Sequence, residues 1–596
     1  MQRYKKHIVP HLWLGLFLAI LFYFLTNWFF AIPLNGFAEK EFAFLTYSAE
    51  SQKTLQHWPL LLIPSLWSFL AALLGFISAM LLYIYRNDHG IYRAGEEHGS
   101  ARFATTREMK KYADEDFEKN TLLTQNGQMG LFNARLPMPV QRNKNMVVIG
   151  GSGSGKTFTF VKPNVMQMNA SMVVTDPKGL LVHEVGQMLR EAGYQIKVFD
   201  LANLSNSNTF NVFAYMPTEL DVDRVLESIS ISIAGNEQKP DFWKLASDML
   251  LRSLIAFLWF DGRDNGYLPH IGQVADLLRN IIRVDQEEPS QVEKWMIELE
   301  QKHPGNYAVK QWQSFQSTGG AAETKAGIVG NAVAVFASFD HQAVQQMIEH
   351  DTMDIGSWNE KKTAVFISIP ELSSSYNFLA SMLVATSITT LSKKADQVNQ
   401  GLLKTQQPLQ HVRYYLDEFA NIGKLPNIDK AMATLRSREM SIVVILQALD
   451  QLKTMYNKGW ASLLATADTL LFLGGNEKET IEYLSQRSGK QTISIRNHSL
   501  NSKGGGSENR QTQARDLLTP DEIGRLDGQK ALVFINGENV LMDYKYSTFD
   551  HPKAAKLANK PTDENWYEVV RYALPFAEMW RASQEEGIPL IDHGTL

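Results

Sequence analysis

The run Gly150-Gly151-Ser152-Gly153-Ser154-Gly155-Lys156-Thr157 fits G-x-x-x-x-G-K-[ST] without a mismatch. These are the residue types of a phosphate cradle. Glycines let successive backbone N–H groups converge on phosphate oxygens, and a helix starting at the end of the run adds the favourable end of its dipole. Lys156 is placed to reach the β- and γ-phosphates, and the Thr157 hydroxyl is a ligand for magnesium. The motif implies binding of ATP or GTP. Hydrolysis needs an acidic half as well, and Val412-Arg413-Tyr414-Tyr415-Leu416-Asp417-Glu418 supplies it: a β-rich run ending in two acids. Asp417 would hold the magnesium, directly or through water, and Glu418 would orient and deprotonate the attacking water. An acidic pair alone reads equally well as a solvated loop; the complete phosphate motif upstream favours the hydrolytic role. Gln447 closes the run Ser441–Leu446, where an amide either senses the γ-phosphate or caps the next helix. Arg436 and Arg438 precede that run. An arginine there either reaches the nucleotide of a neighbouring subunit or lies on ordinary surface. Asp176, in Asp176-Pro177-Lys178-Gly179, either assists the metal or water or only forms a turn.

These side chains must be carried by strands with a shared carboxyl edge. The apolar runs Met146–Ile149, Ser171–Thr175, Gln195–Phe199, Thr363–Ile369, Val412–Leu416, Ser441–Leu446, Thr469–Leu473 and Ala531–Ile535 alternate with helical patterns. Runs this apolar predict a mostly parallel sheet covered on both faces. Pro163 must bend or interrupt the helix that follows the glycine-rich loop. From Asp221 to Asp340 the alternation breaks. Leu250, Leu254, Phe257 and Leu258 recur at helical spacing there, which predicts an all-helical insertion whose apolar stripe is core packing. Lys503 to Arg510 has the composition of a flexible connector. The basic residues Lys490, Arg496, Lys503, Arg510 and Arg515 around it either contact a nucleic-acid strand or belong to a solvated connector.

The 596 residues carry a net charge of −5, so bulk charge gives no nucleic-acid signal, and the absence of cysteine excludes disulfides, thiolate metal sites and cysteine nucleophiles. Two stretches, about 12–32 and 58–85, carry no charge and are each long enough to span a bilayer core. Trp13, Trp28, Trp58 and Trp67 sit near the span ends, and Gly75 and Ala79 form a small-xxx-small pair. Arg3, Lys5 and Lys6 precede the first span, and Arg86 and Arg93 follow the second, whereas the segment between has no positive excess. The positive-inside rule puts both termini and the main body in the cytoplasm. The first apolar stretch is too long for a cleaved signal peptide.

With these residues in view, the chain resembles the type IV secretion coupling proteins, the TraG/TraD/TrwB-type conjugation ATPases. The resemblance rests on the two N-terminal spans, Gly99-Ser100-Ala101-Arg102-Phe103-Ala104, Thr175-Asp176-Pro177-Lys178-Gly179, Leu416-Asp417-Glu418-Phe419-Ala420-Asn421-Ile422-Gly423-Lys424-Leu425-Pro426, and the stretch Ala433 to Leu452 with Arg436 and Gln447. It implies an α/β fold: a RecA-like P-loop ATPase domain with an inserted all-α domain, preceded by a two-helix transmembrane hairpin. The expected divisions are an anchor at 1–90, the nucleotide-binding domain at 91–220 and 341–550, the all-α domain at 221–340 and a short helical tail at 551–596. The resemblance further implies a homo-hexamer in the cell membrane, hydrolysing ATP with Mg2+ and coupling relaxase-bound single-stranded DNA to a type IV secretion channel. Arg436 would be the finger contributed to a neighbour, with Arg438 as the fallback. Two other readings fit the motifs: a docking ATPase for protein effectors, and an FtsK-like double-strand DNA translocase. The latter family ordinarily has four spans and a terminal DNA-reading domain, for which this sequence shows no counterpart.

Overall fold

A computed structural model of the chain describes residues 8–56, 62, 64–87, 95–234, 242–283, 287–318, 322–370, 375–457, 459–500 and 506–569. The chain divides into two compact units, residues 1–100 with 492–514, and residues 101–491 with 515–596.

In the first unit, helices Val9–Ala31 and Leu66–Asn87 are long and apolar enough to cross a membrane. They pack along each other, and small residues set the distance. A Cβ on Gly75 would lie 2.8 Å from the Leu18 carbonyl oxygen, and one on Gly15 would meet the Phe76 ring at 2.9 Å. Ala79 is buried at the same seam. Such close backbone approach is what small residues permit between apolar helices, where no hydrophobic force favours association. The buried hydroxyl of Ser68 bonds the Asn27 side chain across the pair. The segment between them is not a simple loop: it forms helices Phe37–Leu45 and Ala49–Gln56, and the Trp28 indole N–H donates to the Ser51 carbonyl at 2.9 Å. Trp58 and the start of the expected second span lie outside the described residues.

The strands, in chain order, are β1 (Asn120–Leu122), β2 (Gln128–Gly130), β3 (Met146–Ile149), β4 (Ser171–Thr175), β5 (Gln195–Asp200), β6 (Thr363–Ser368), β7 (Val412–Leu416), β8 (Met440–Leu446), β9 (Thr469–Phe472), β10 (Lys490–Leu500), β11 (Gly506–Asp516), β12 (Lys530–Ile535) and β13 (Leu541–Tyr544). The second unit is built on nine of them, in the order β13-β12-β9-β3-β8-β7-β4-β6-β5. From β9 to β5 every neighbour is parallel, while β12 runs antiparallel to both β9 and β13. β3 shows why the sequence is apolar throughout. Val147 and Ile149 belong to the core on one face, and Met146 and Val148 to the core on the other. A strand with period two buried on both faces favours an apolar residue at every position.

Among the described residues, seven α-helices, from Asp221–Ala234 to Gln342–Glu349, occupy the chain between β5 and β6. The long helix Phe242–Asn265 buries Leu250, Leu254, Ile255 and Leu258 against neighbours that include Tyr307–Thr318. The apolar stripe is core, as its spacing predicts.

Two segments differ from their sequence reading. Of the stretch Lys503 to Arg510 read as a flexible connector, residues 506–510 belong to β11 in a ribbon of two strands, β10 and β11, and residues 503–505 lie outside the described residues. The expected tail forms no α-helix over its described part, residues 551–569. Residues 545–569 run as a strap of turns and extended chain with two short 3-10 helices, Thr548–Asp550 and Ala554–Lys556. Thr548 donates to the Phe158 carbonyl, the buried His551 ring contacts Gln167, Ala558 N–H donates to Glu184 O, and Tyr567 and His183 bond through main chain and ring.

Candidate functional site

Because β3, β8, β7 and β4 are parallel, the chain leaves all four at one edge. That edge receives the glycine-rich loop after β3, Gln447 after β8, Asp417 and Glu418 after β7, and Asp176 after β4. Ligands of open α/β sheets lie at this carboxyl edge. The residues line a cleft of about 720 Å3, within the roughly 300–1,000 Å3 of small-molecule sites.

The loop is held from below and behind. Gly150 N–H donates to Leu446 O at 3.0 Å, and Gly151 N–H to Gly474 O at 2.8 Å. Gly153 and Gly155 have φ of 73° and 85°, a region glycine enters without a Cβ penalty, so the loop curls tightly and its N–H groups converge. Thr157–Val161 then forms a π-type turn, with the Lys162 N–H bonded to Thr157 O, before the helix continues over Lys162–Met166. Pro163 lacks an N–H and its ring clashes with the carbonyl four residues back; the wider turn is how the chain accommodates it. Asn164 pins this helix to β1, accepting from Leu122 N–H and donating to Leu122 O, both at 2.8 Å.

The catalytic candidates meet directly. Lys156 is buried, with Nζ 2.9 Å from Gly150 O and 3.1 Å from a Glu418 carboxylate oxygen. The Thr157 hydroxyl donates to Asp417 Oδ2 at 2.8 Å. Gln447 Nε2 donates to Glu418 Oε2 at 2.9 Å, and the Gln447 N–H is taken by Gln451 rather than by its own side chain. Glu418 has φ 48° and ψ 51°, a left-handed conformation that costs a non-glycine residue roughly 1–3 kcal/mol and clusters at functional positions. Here it lets Asp417 face Thr157 while Glu418 faces Lys156 and Gln447. The Thr175 hydroxyl donates to the Asp417 carbonyl at 2.6 Å, tying β4 to β7 at this edge.

Burial raises the Asp417 pKa, against the pull of the Thr157 hydroxyl and Lys156. A buried carboxylate beside a threonine hydroxyl is a hard-oxygen pair suited to Mg2+, which takes one or two protein ligands and completes its shell with phosphate and water. Among the described residues no cluster of three or more acidic or histidine side chains forms an all-protein metal cage. The loop, lysine and oxygen pair therefore fit a magnesium nucleotide. Asp176 also lines the cleft. Its Oδ2 accepts from Leu181 N–H at 2.6 Å, opening helix Leu181–Glu191, and burial raises its pKa to about 6.

Arg436 and Arg438 do not line this cleft among the described residues. Arg438 is fixed by a two-pronged bond to Asp396 at 2.8 and 2.9 Å. Arg436 is exposed, with a 3.3 Å contact to Gln141. Of the basic residues around the ribbon, Lys490 pairs with Asp516 at 3.3 Å and Arg515 with Glu522 at 2.6 Å. Lys503 and the side chain of Arg510 lie outside the described residues.

Three contributors were not read from the sequence. Lys545 donates to Ser154 O at 2.8 Å, clamping the loop from a position 391 residues away. Lys162 and Glu184, paired at 2.7 Å, both line the cleft. None of them has a spacing relation to a motif that could have marked it.

The family described as type IV secretory system conjugative DNA transfer matches residues 100–567. The chain is 22% identical over 404 residues to the conjugal transfer protein TraG of Rhizobium radiobacter, a match covering 66% of this chain and 60% of that protein. The chain thus spans about 60% of that relative's length. In fold it is similar to the bacterial conjugative coupling protein TrwBdeltaN70 in an unbound form, with TM-score 0.54, 19% identity, and coverage of 76% of this chain and 96% of that one. It is similar to the same extent to TrwB in complex with ADP and Mg2+, with TM-score 0.54, 18% identity, and coverage of 76% and 96%. The shared fold is a RecA-like nucleotide-binding domain combined with an all-α domain.

Proposed function

The chain belongs to the type IV secretory system conjugative DNA transfer family, and from that premise we propose that it is a membrane-anchored hexameric ATPase that couples relaxase-bound single-stranded DNA to a type IV secretion channel and powers its transfer. The observation that carries the hydrolytic part is the convergence of Lys156, Thr157, Asp417, Glu418 and Gln447 in one cleft. TrwB, similar in fold, has been solved with ADP and Mg2+. The two N-terminal apolar helices support the anchor.

In this reading the N–H groups of residues 151–157 and the Lys156 ammonium bind the β- and γ-phosphates. Thr157 and Asp417 hold Mg2+, which when bound neutralises charge on the transferring phosphoryl group. Glu418 accepts the proton of the attacking water, and its carboxylate is oriented by Gln447. Arg436 acts on the nucleotide of a neighbouring subunit. Both termini and the ATPase body lie on the cytoplasmic side.

The test is donor strains carrying Lys156→Ala or Glu418→Gln in a mating assay. Loss of the base lowers turnover by about 100-fold or more, so transfer should fall to near background in both strains while protein levels stay normal. Wild-type transfer frequency in both would overturn the proposal. With the purified full chain, DNA-stimulated ATP hydrolysis should disappear in the same variants.

A further inference from the structure

The cleft has a phosphate end and a far end, and sheet order separates them. Asp417 and Glu418 leave β7, which lies two strands to one side of β3, and Gln447 leaves β8 between them. These residues mark where the γ-phosphate must sit. The segment 545–550 follows β13, which lies three strands to the other side of β3. A nucleotide extended along the loop from its γ-phosphate carries its base toward that second side.

Two phenylalanines stand there. Phe158 directly follows Thr157, lines the cleft and is 37% exposed. Phe549 is 67% exposed, and its ring meets that of Phe158 edge to face, with centroids 5.2 Å apart and planes at 66°. An edge-to-face pair leaves ring surface uncovered. The pair is also held in place. Lys545 bonds the Ser154 carbonyl, Thr548 bonds the carbonyl of Phe158 itself, and Tyr546 between them is buried. The turn carrying Phe549 is thus fastened once to the phosphate loop and once to the π-turn that follows it, while presenting its aromatic ring to solvent. Single exposed apolar residues are ordinary on protein surfaces. Two adjoining ones, of which Phe158 lines the polar cleft and Phe549 packs on it, are placed for a flat apolar ligand group.

We propose that Phe158 and Phe549 form the platform on which the purine base of the bound nucleoside triphosphate stacks. The inference rests on the nucleotide-binding reading of the cleft and adds the part of the ligand that the glycine-rich loop leaves unread. Neither ring offers a hydrogen bond, so the platform contributes affinity through stacking and treats adenine and guanine alike.

The test measures binding of ATP, GTP and inorganic tripolyphosphate, each with Mg2+, to the full-length protein in detergent. Phe549→Ala should weaken ATP and GTP by about 5–10-fold each, the size expected for one aromatic stack, and leave tripolyphosphate unchanged. Phe549→Leu, which keeps the apolar contact with Phe158, should lose nearly as much, and Phe549→Trp should keep wild-type affinity. Unchanged ATP affinity in the Ala and Leu variants, with Lys156→Ala still abolishing it, would overturn the platform and leave the nucleotide site standing. Equal weakening of tripolyphosphate would also overturn it, by showing that Phe549 acts through the loop and not on the base. Failure of the wild-type protein to bind ATP or tripolyphosphate in a Lys156-dependent way would instead bring down the nucleotide reading itself.

Discussion

Lys144, the second residue before β3, is buried, and its ammonium has no hydrogen-bond partner among the described residues. Burial lowers its pKa to about 7, with Arg413, Arg436 and Arg142 adding repulsion and Asp468 opposing them. An unfolded lysine titrates near 10.4. The folded chain therefore binds this proton less tightly than the unfolded chain does. The group's stabilising contribution is full above the unfolded pKa and is lost as pH falls from about 10 through the folded value near 7. Lys144→Met removes the titration and keeps the volume. It should stabilise the protein at pH 6.5 by roughly 2–4 kcal/mol, with the gain shrinking toward zero at pH 10. Thermal melts at the two pH values check this, and an equal gain at both would show that packing and not charge is responsible. The acidic pair at the active edge follows the opposite logic. Asp417 is buried, but Thr157 and Lys156 are beside it, so its charge has partners that Lys144 lacks.

At the scale of elements, the strap 545–569 is the part that periodicity does not reveal. It lies against helix Leu181–Glu191, whose Glu184 lines the cleft, and its seat is cut to shape. A Cβ on Gly186 would meet the Tyr567 ring at 2.5 Å, while Trp566 stacks on His183 at a centroid distance of 4.8 Å. Gly186→Ala should lift the strap at a cost of about 1–3 kcal/mol and open new protease sites within 545–569. The double variant Gly186→Ala, Tyr567→Gly should be no less stable than Tyr567→Gly alone, because the second change removes both the ring and the Cβ that the new methyl meets. Strictly additive losses in melting temperature would argue against the contact. The contrast with the sheet explains what could be read in advance. β3 is apolar throughout and β7 and β8 are mostly so, with buried Arg413 and Ser441 as exceptions, because both faces are buried, and the chemistry begins where these runs stop, at Gly150, Asp417 and Gln447. β13 has four residues, with only Leu541 buried, too few for alternation to register. Lys545 gains its role from being brought beside Ser154 by the antiparallel edge, a long-range fact that no local pattern encodes. The ribbon is held by main-chain pairing, which glycine and serine do not advertise.

At the scale of the whole molecule, the cleft of one chain brings together a loop, a lysine, a pair of carboxylates and an amide, but its lining among the described residues includes neither Arg436 nor Arg438. Arg438 is occupied by Asp396, so Arg436 is the arginine available to act elsewhere. A closed ring places the same surface of every subunit against the same cleft of the next, and an arginine supplied across that interface contributes a large part of phosphoryl-transfer rate. The proposal makes a quantitative demand on mixtures. Lys156→Ala chains keep the finger and lose the cradle; Arg436→Ala chains keep the cradle and lose the finger. Each homo-oligomer should hydrolyse ATP at background rates. In a ring assembled at random from equal amounts, an interface works when an Arg436→Ala cradle faces a Lys156→Ala neighbour. That occurs at about a quarter of interfaces, so the mixture should recover about a quarter of the wild-type rate if sites turn over independently. Co-expressed, differently tagged chains purified through both tags would give the measurement. Recovery of activity requires that two chains share one site. Persistent background activity in doubly tagged rings would mean that Arg436 serves its own chain, and the ring mechanism would then need a different residue to complete it.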